Sequence, residues 1–169
     1  MIVSTKKFPH LVILTHWLTL LLVLVAYFTS QSPIEDQWLG QTHVIAGSLV
    51  FIIFFIRIFL YMRFKTQFPE VSFKSKIQKK AFQLMKVCLY ICLFTVPFLG
   101  WFTLASTQAS FSLLGMDLPQ VLFSSNADLG DIHPIIANIF ITLIGLHALA
   151  ALIHHFILKD DVLKSMRLK

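Results

Sequence analysis

Four long apolar runs, residues 8–28, 39–61, 84–105 and 132–158, alternate with shorter polar stretches along the chain. Each is long enough to cross a hydrocarbon core of ~30 Å, which takes ~20 helical residues. The pattern predicts an all-α membrane protein: one domain over residues 1–169, built as a bundle of four transmembrane helices. The first run, "FPHLVILTHWLTLLLVLVAYF", exceeds the apolar region of a secretory signal peptide and is not followed by a convincing small-residue cleavage site. It is therefore read as the first span. The connections are short except for residues 106–131, and the sequence shows no internal repeat, low-complexity tract or soluble domain.

Composition agrees with this pattern. Hydrophobic residues make up 57% of the chain and charged residues 13%, both far from the average of soluble domains. Charge then supplies an orientation, because Lys and Arg flanking membrane spans are retained in the cytoplasm. Lys6 and Lys7 precede the first span; Arg63, Lys65, Lys74, Lys76, Lys79 and Lys80 join the second and third; Lys159, Lys164, Arg167 and Lys169 follow the fourth. Arg57 and Lys86 lie in span ends that face the same side. The other connections, residues 29–38 and 106–131, hold Glu35, Asp36, Asp117, Asp128 and Asp131 and no Lys or Arg. Both termini are predicted to be cytoplasmic. The net charge of +6 is thus a topology signal, and nucleic acid is not an expected partner.

Polar residues inside apolar runs need a reason, since each costs desolvation free energy unless it finds a partner. The last run, "DIHPIIANIFITLIGLHALAALIHH", holds four histidines. At ~1.5 Å rise per residue, His16 and His147 fall at one depth on the cytoplasmic side, and His43 and His133 at another on the outer side. His133 and His147 are fourteen residues apart, ~21 Å, which is four turns at the 3.5-residue period of a left-handed bundle, so both rings share one face. Two imidazoles from different helices at one depth can hold a flat cofactor, and haem is the one for which paired histidine ligation is common. Small residues near the ligands leave room for a macrocycle: Ala46, Gly47 and Ser48 after His43, Gly145 before His147, and Ala148, Ala150 and Ala151 after it.

One intramembrane histidine is often a hydrogen-bonding core residue, but four at two matched depths are not explained that way. His10, His154 and His155 sit at the cytoplasmic boundary, where an interfacial role suffices. Arg57 lies fourteen residues beyond His43, level with the cytoplasmic pair. Its guanidinium either clamps a haem propionate or reaches to the headgroups, and Lys86 has the same two readings. Trp17, Trp38 and Trp101 fall near span ends, as members of an aromatic belt do. Pro97 should kink the third span, which carries no histidine and so serves as a wall. Cys88 and Cys92, four residues apart in that span, read as small buried hydrophobes. A non-redox metal or solute carrier using the same histidines is the remaining class, and it lacks the carboxylates such a cage prefers.

The residues "THW" around His16, "THVIAG" around His43, "IRIFLY", "VPFLGW", "GMDLP" and "HPIIANIFITLIGLHALAALIHHFILKD" together resemble the four-helix bacterial cytochrome b561 family, over nearly the whole chain. The resemblance implies two haem b groups, one held by His16 and His147 and the other by His43 and His133. It also implies electron exchange with ubiquinone, and for one type of the family a superoxide:ubiquinone oxidoreductase activity. A cytochrome b subunit serving a periplasmic electron-transfer protein is the alternative. Trp17 and His154, near the inner pair, are the candidates for the quinone site.

Overall fold

The computed structural model describes residues 2–3, 7–30, 38–69, 71–73, 75–106, 112–113, 116–117, 129–159 and 162–168. In chain order the elements are β1 (Ile2–Val3), α1 (His10–Thr29), α2 (Leu39–Phe64), a 3-10 turn (Lys65–Gln67), β2 (Val71–Ser72), α3 (Lys76–Ser106), β3 (Ser112–Leu113), β4 (Met116–Asp117), α4 (Leu129–Phe156) and α5 (Val162–Ser165). Among the described residues four helices are long and apolar enough to cross a membrane, and they are the four spans of the apolar pattern.

Helix ends follow local chemistry. Pro9 precedes α1, and its carbonyl accepts the first two helical hydrogen bonds, from Val12 and Ile13 at 2.9 and 3.1 Å. The α3 helix begins eight residues before the expected start of its span, since Ser75 caps it: the Gln78 backbone N–H donates to Ser75 Oγ at 3.1 Å. The first turns of α3 thus carry Lys76, Lys79 and Lys80 ahead of the apolar part, a length that apolarity alone does not reveal. The kink expected at Pro97 does not break the helix, as α3 runs unbroken through it. Instead of continuing to residue 158, α4 stops at Phe156, and Lys159 adopts a left-handed backbone, φ 49°, that turns the chain back.

Hydroxyls within the spans satisfy themselves on the preceding turn, as apolar surroundings require. Thr19 Oγ1 donates to the Thr15 carbonyl at 2.6 Å, Thr29 Oγ1 to Val25 at 2.7 Å, and Ser48 Oγ to Val44 at 2.7 Å. Much of the outward surface is apolar, with Phe28, Phe59 and Leu149 all exposed, and lipid is its natural solvent.

A core drawn from every long helix closes the middle of the bundle: Val23 of α1, Val50 of α2, Cys92 and Leu93 of α3, and Phe140 of α4. Phe140 stands seven residues from both His133 and His147, ~10 Å from either level. The core therefore lies between the two histidine levels, and Cys92 belongs to it. Helix α1 packs along α2 and α3 along α4, with α2 against α3 joining the two pairs, whereas α1 and α4 scarcely approach one another.

One end of the bundle gathers both terminal segments and the α2–α3 connection. There β1 pairs antiparallel with β2, Ile2 opposite Ser72, and the Phe8 N–H donates to the Ser165 carbonyl at 3.2 Å. Both terminal segments therefore share one side with the connection that carries six of the fourteen basic residues. Of the acidic residues in the other connections, Glu35, Asp36 and Asp128 lie outside the described residues, and only the backbone of Asp117 and Asp131 is described.

Candidate functional site

The first of these levels lies toward the other end of the bundle. His43 of α2 and His133 of α4 face each other there with ring centroids 6.1 Å apart and planes at 87°. Each ring is fixed by a backbone carbonyl of a neighbouring helix: His43 Nδ1 donates to Ala26 at 2.7 Å and His133 Nδ1 to Val96 at 3.1 Å. A carbonyl only accepts, so each Nδ1 carries the proton and each Nε2 keeps a free lone pair, the tautomer a metal requires. A cavity of about 390 Å³ surrounds the pair, lined among others by Ala26, Gly47, Trp101 and Asn138. Such a volume lies within the usual range for small-molecule and cofactor sites.

Gly100 of α3 is the tightest part of the wall. A Cβ there would stand 3.0 Å from Cε1 of His133, so any side chain at this position would make the ring give by a few tenths of an ångström. Nothing lies within 4 Å of a Cβ built at Gly47, which leaves its side of the cavity open.

At the other level His16 of α1 faces His147 of α4, their ring centroids 6.3 Å apart and their planes at 66°. Trp17 meets His16 edge to face at 5.6 Å. Arg57 of α2 lies within electrostatic range of both histidines. Its guanidinium sits over the Tyr90 ring at 5.5 Å, and its buried Nε has no hydrogen-bond partner within the protein. A Cβ built at Gly145, two residues before His147, again meets nothing within 4 Å.

These distances test the residues against haem. Two metal–nitrogen bonds of ~2 Å plus the ~1.1 Å radius of each ring would place the centroids of two imidazoles that share one iron ~6.2 Å apart, close to the separations found at both levels. The unpartnered Nε of Arg57 calls for an anion, which a propionate supplies. Among the described residues no three His, Cys, Asp or Glu side chains gather as a metal cage; each level offers two donors facing across a gap, the arrangement a planar macrocycle completes. The residues fit the group.

The other singled-out residues divide. Lys86 rests its ammonium 5.9 Å from the Tyr61 ring centroid. Trp101 is more than a belt residue, because its indole N–H donates to Ser48 Oγ at 3.1 Å at the rim of the cavity, whereas Trp38 is exposed. His10 is exposed, and His154 and His155 are half-buried at the end of α4. The Trp17 indole N–H is engaged by the Met166 carbonyl at 2.9 Å, which leaves the ring, and not the N–H, to meet a ligand. The carbonyls of Ala26 and Val96 leave no signal in a sequence, since every residue has one. Gly100 could have been found: it is a small residue at the outer level of the span expected to act as a wall.

A family model described as prokaryotic cytochrome b561 matches residues 7–168. The chain is 32% identical over 170 residues to a protein of Yersinia pestis named "Probable superoxide oxidase CybB", covering 95% of this chain and 96% of that one. It is 34% identical over 171 residues to "Cytochrome b561 homolog 1" of Escherichia coli K12, covering 95% and 97%. With four apolar helices in place around two histidine pairs, the chain belongs to the prokaryotic cytochrome b561 family, multi-pass bacterial membrane proteins of electron transfer that bind haem b.

Proposed function

We propose that this protein is a di-haem electron-transfer protein of the inner membrane, linking a donor on the outer side to the quinone pool. The observation that carries the reading is the pair of facing histidine couples, 6.1 and 6.3 Å between centroids, on either side of one apolar core. His43 and His133 hold the outer haem, and His16 and His147 the inner. Each haem supplies a one-electron iron couple closed to further ligands by its two imidazoles. The Ala26 and Val96 carbonyls hold the outer rings in their ligand tautomer, and Arg57 neutralises an inner propionate. The positive-inside rule puts the basic end, with both termini, in the cytoplasm. The ring of Trp17 and the imidazole of His154 serve the quinone there, His154 as proton donor.

Superoxide as the outer donor is supported by the name of the Yersinia pestis relative, and ubiquinone as acceptor is what the family resemblance implies. One observation favours a second reading, a cytochrome b subunit that receives electrons from a periplasmic protein. The outer connections carry five carboxylates and no Lys or Arg, a surface that repels an anion and attracts a cationic patch.

A pyridine haemochrome assay on detergent-purified protein tests the common core of both readings. Two b-type haems per chain with low-spin spectra are expected, and one haem or none would sink the model. Oxidation of the reduced protein by a short-chain ubiquinone in nanodiscs, slowed by replacing His154 with Ala, tests the quinone assignment.

A further inference from the structure

The two helices that carry the inner pair, α1 and α4, scarcely approach one another along their length, yet their histidines face at 6.3 Å. Packing through α2 and α3 sets that gap only indirectly, so a direct tie between α1 and the end of α4 would add to it. The described residues show one bridge at the inner end. Beyond Phe156 the chain reverses at Lys159 through its left-handed backbone, a conformation that costs a non-glycine residue ~1–2 kcal/mol and needs compensating contacts. It then forms α5 and returns to α1. Two hydrogen bonds make the attachment: Phe8 N–H to the Ser165 carbonyl at 3.2 Å, and the Trp17 indole N–H to the Met166 carbonyl at 2.9 Å. Ser165 is buried, and its hydroxyl donates to the Val162 carbonyl at 2.7 Å.

Trp17 is thus tied on one side to the C-terminal segment and on the other stands edge to face against His16, 5.6 Å between ring centroids. An indole of an interfacial belt turns its N–H to headgroups or water. This one turns it to a backbone carbonyl 149 residues away in sequence. We infer that residues 162–168 are a strap that fixes the spacing of His16 and His147, and that Trp17 is the positioning residue through which the strap acts on His16. The inference rests on the reading of this pair as the inner haem site. Groups that support a ligand from the outer shell are worth ~10–100-fold in affinity when removed, and the strap belongs among them without touching the ligand's metal-binding nitrogen.

The test uses the full, haem-loaded protein in detergent and three variants: Trp17→Phe, which keeps the ring and loses the N–H; a chain ending at Lys159, which loses the acceptor; and both together. Haem release is followed by transfer to apomyoglobin, and the low-spin electron paramagnetic resonance signals report the geometry of each pair. Release from the inner site is expected to quicken about tenfold in either single variant, with a shift of the inner signal, no change at the outer site, and no further effect in the double variant, because both changes cut one link. Unchanged release and signals in both single variants, equal changes at both sites, or additive effects in the double would each overturn the strap. The underlying reading fails separately: a His16→Ala protein that still binds two haems removes the inner ligand assignment, whatever the strap variants do.

Discussion

Gly100 lies so close beneath His133 that a single added carbon would stand 3.0 Å from the ring's Cε1 and 3.4 Å from its Nδ1. The ring cannot yield freely, because its Nδ1 is tied to the Val96 carbonyl on the same helix that carries Gly100. Replacing Gly100 with Val should therefore push the imidazole off its hydrogen bond and cost the outer site ~10–100-fold in haem affinity, as loss of an outer-shell contact does. Gly100→Ala should do the same more mildly. Haem titration of the apoprotein checks this, and an outer site that fills normally in the Val variant would contradict the assignment.

The pairing makes the two levels separable. Removing His43 or His133 is expected to abolish one haem and leave the other, and removing His16 or His147 to abolish the second. The double variant His43→Ala with His133→Ala should still hold one haem, whereas His16→Ala with His43→Ala should hold none. Haem content and difference spectra of the six variants decide the matter. One haem remaining in the last variant would mean that the levels are not paired as the ring contacts indicate.

Arg57 is the charge most exposed to error, since a buried guanidinium with an unpartnered Nε destabilises unless an anion meets it. If it meets an inner propionate, Arg57→Gln should weaken inner haem binding by ~1.5–3 kcal/mol, the worth of a hydrogen bond to a charged group. It should also lower the midpoint potential of that haem, because a positive charge beside it favours the reduced form. Arg57→Lys should recover part of the potential and little of the affinity, as an ammonium keeps the charge and loses the fork. A redox titration that resolves two midpoints gives the answer; a shift of the outer one alone would speak against the clamp.

The spans and the matched depths of the histidines were legible because both are periodic: apolar length reports a span, and fourteen residues report four turns. Helix ends were less so. The α3 helix begins at its Ser75 cap and α4 ends where Lys159 turns, and both signals are local, whereas apolarity averages over a window. Trp17 and Trp101 each read as belt residues by position, yet both spend their N–H inside the protein, on Met166 and Ser48. Those partners lie far away in sequence, so only the fold brings them together. The second shell of His43 and His133 was hidden for a different reason, being made of backbone carbonyls that no side-chain pattern encodes.

The last prediction concerns the donor, and it turns on charge. Glu35, Asp36, Asp117, Asp128 and Asp131 are the ionisable side chains of residues 29–38 and 106–131, the connections without Lys or Arg. Superoxide is an anion, so its encounter with this side should be slowed by repulsion at low salt and quicken as ions screen the field beyond a Debye length of ~10 Å at 0.1 M. A cationic patch on a periplasmic protein should show the reverse, being steered at low salt and slowed at high. Changing the five residues to Asn or Gln should accelerate superoxide and retard such a partner, while oxidation by ubiquinone at the other end stays as it was. The measurement is the rate of haem reduction by pulsed superoxide at low and high ionic strength, in the native and neutralised proteins. A rate near the diffusion limit that falls with added salt would mean that the carboxylates do not govern the approach and would establish superoxide as the donor. A slow rate, raised both by salt and by neutralisation, would favour the subunit reading, in which the acidic outer side is a docking surface.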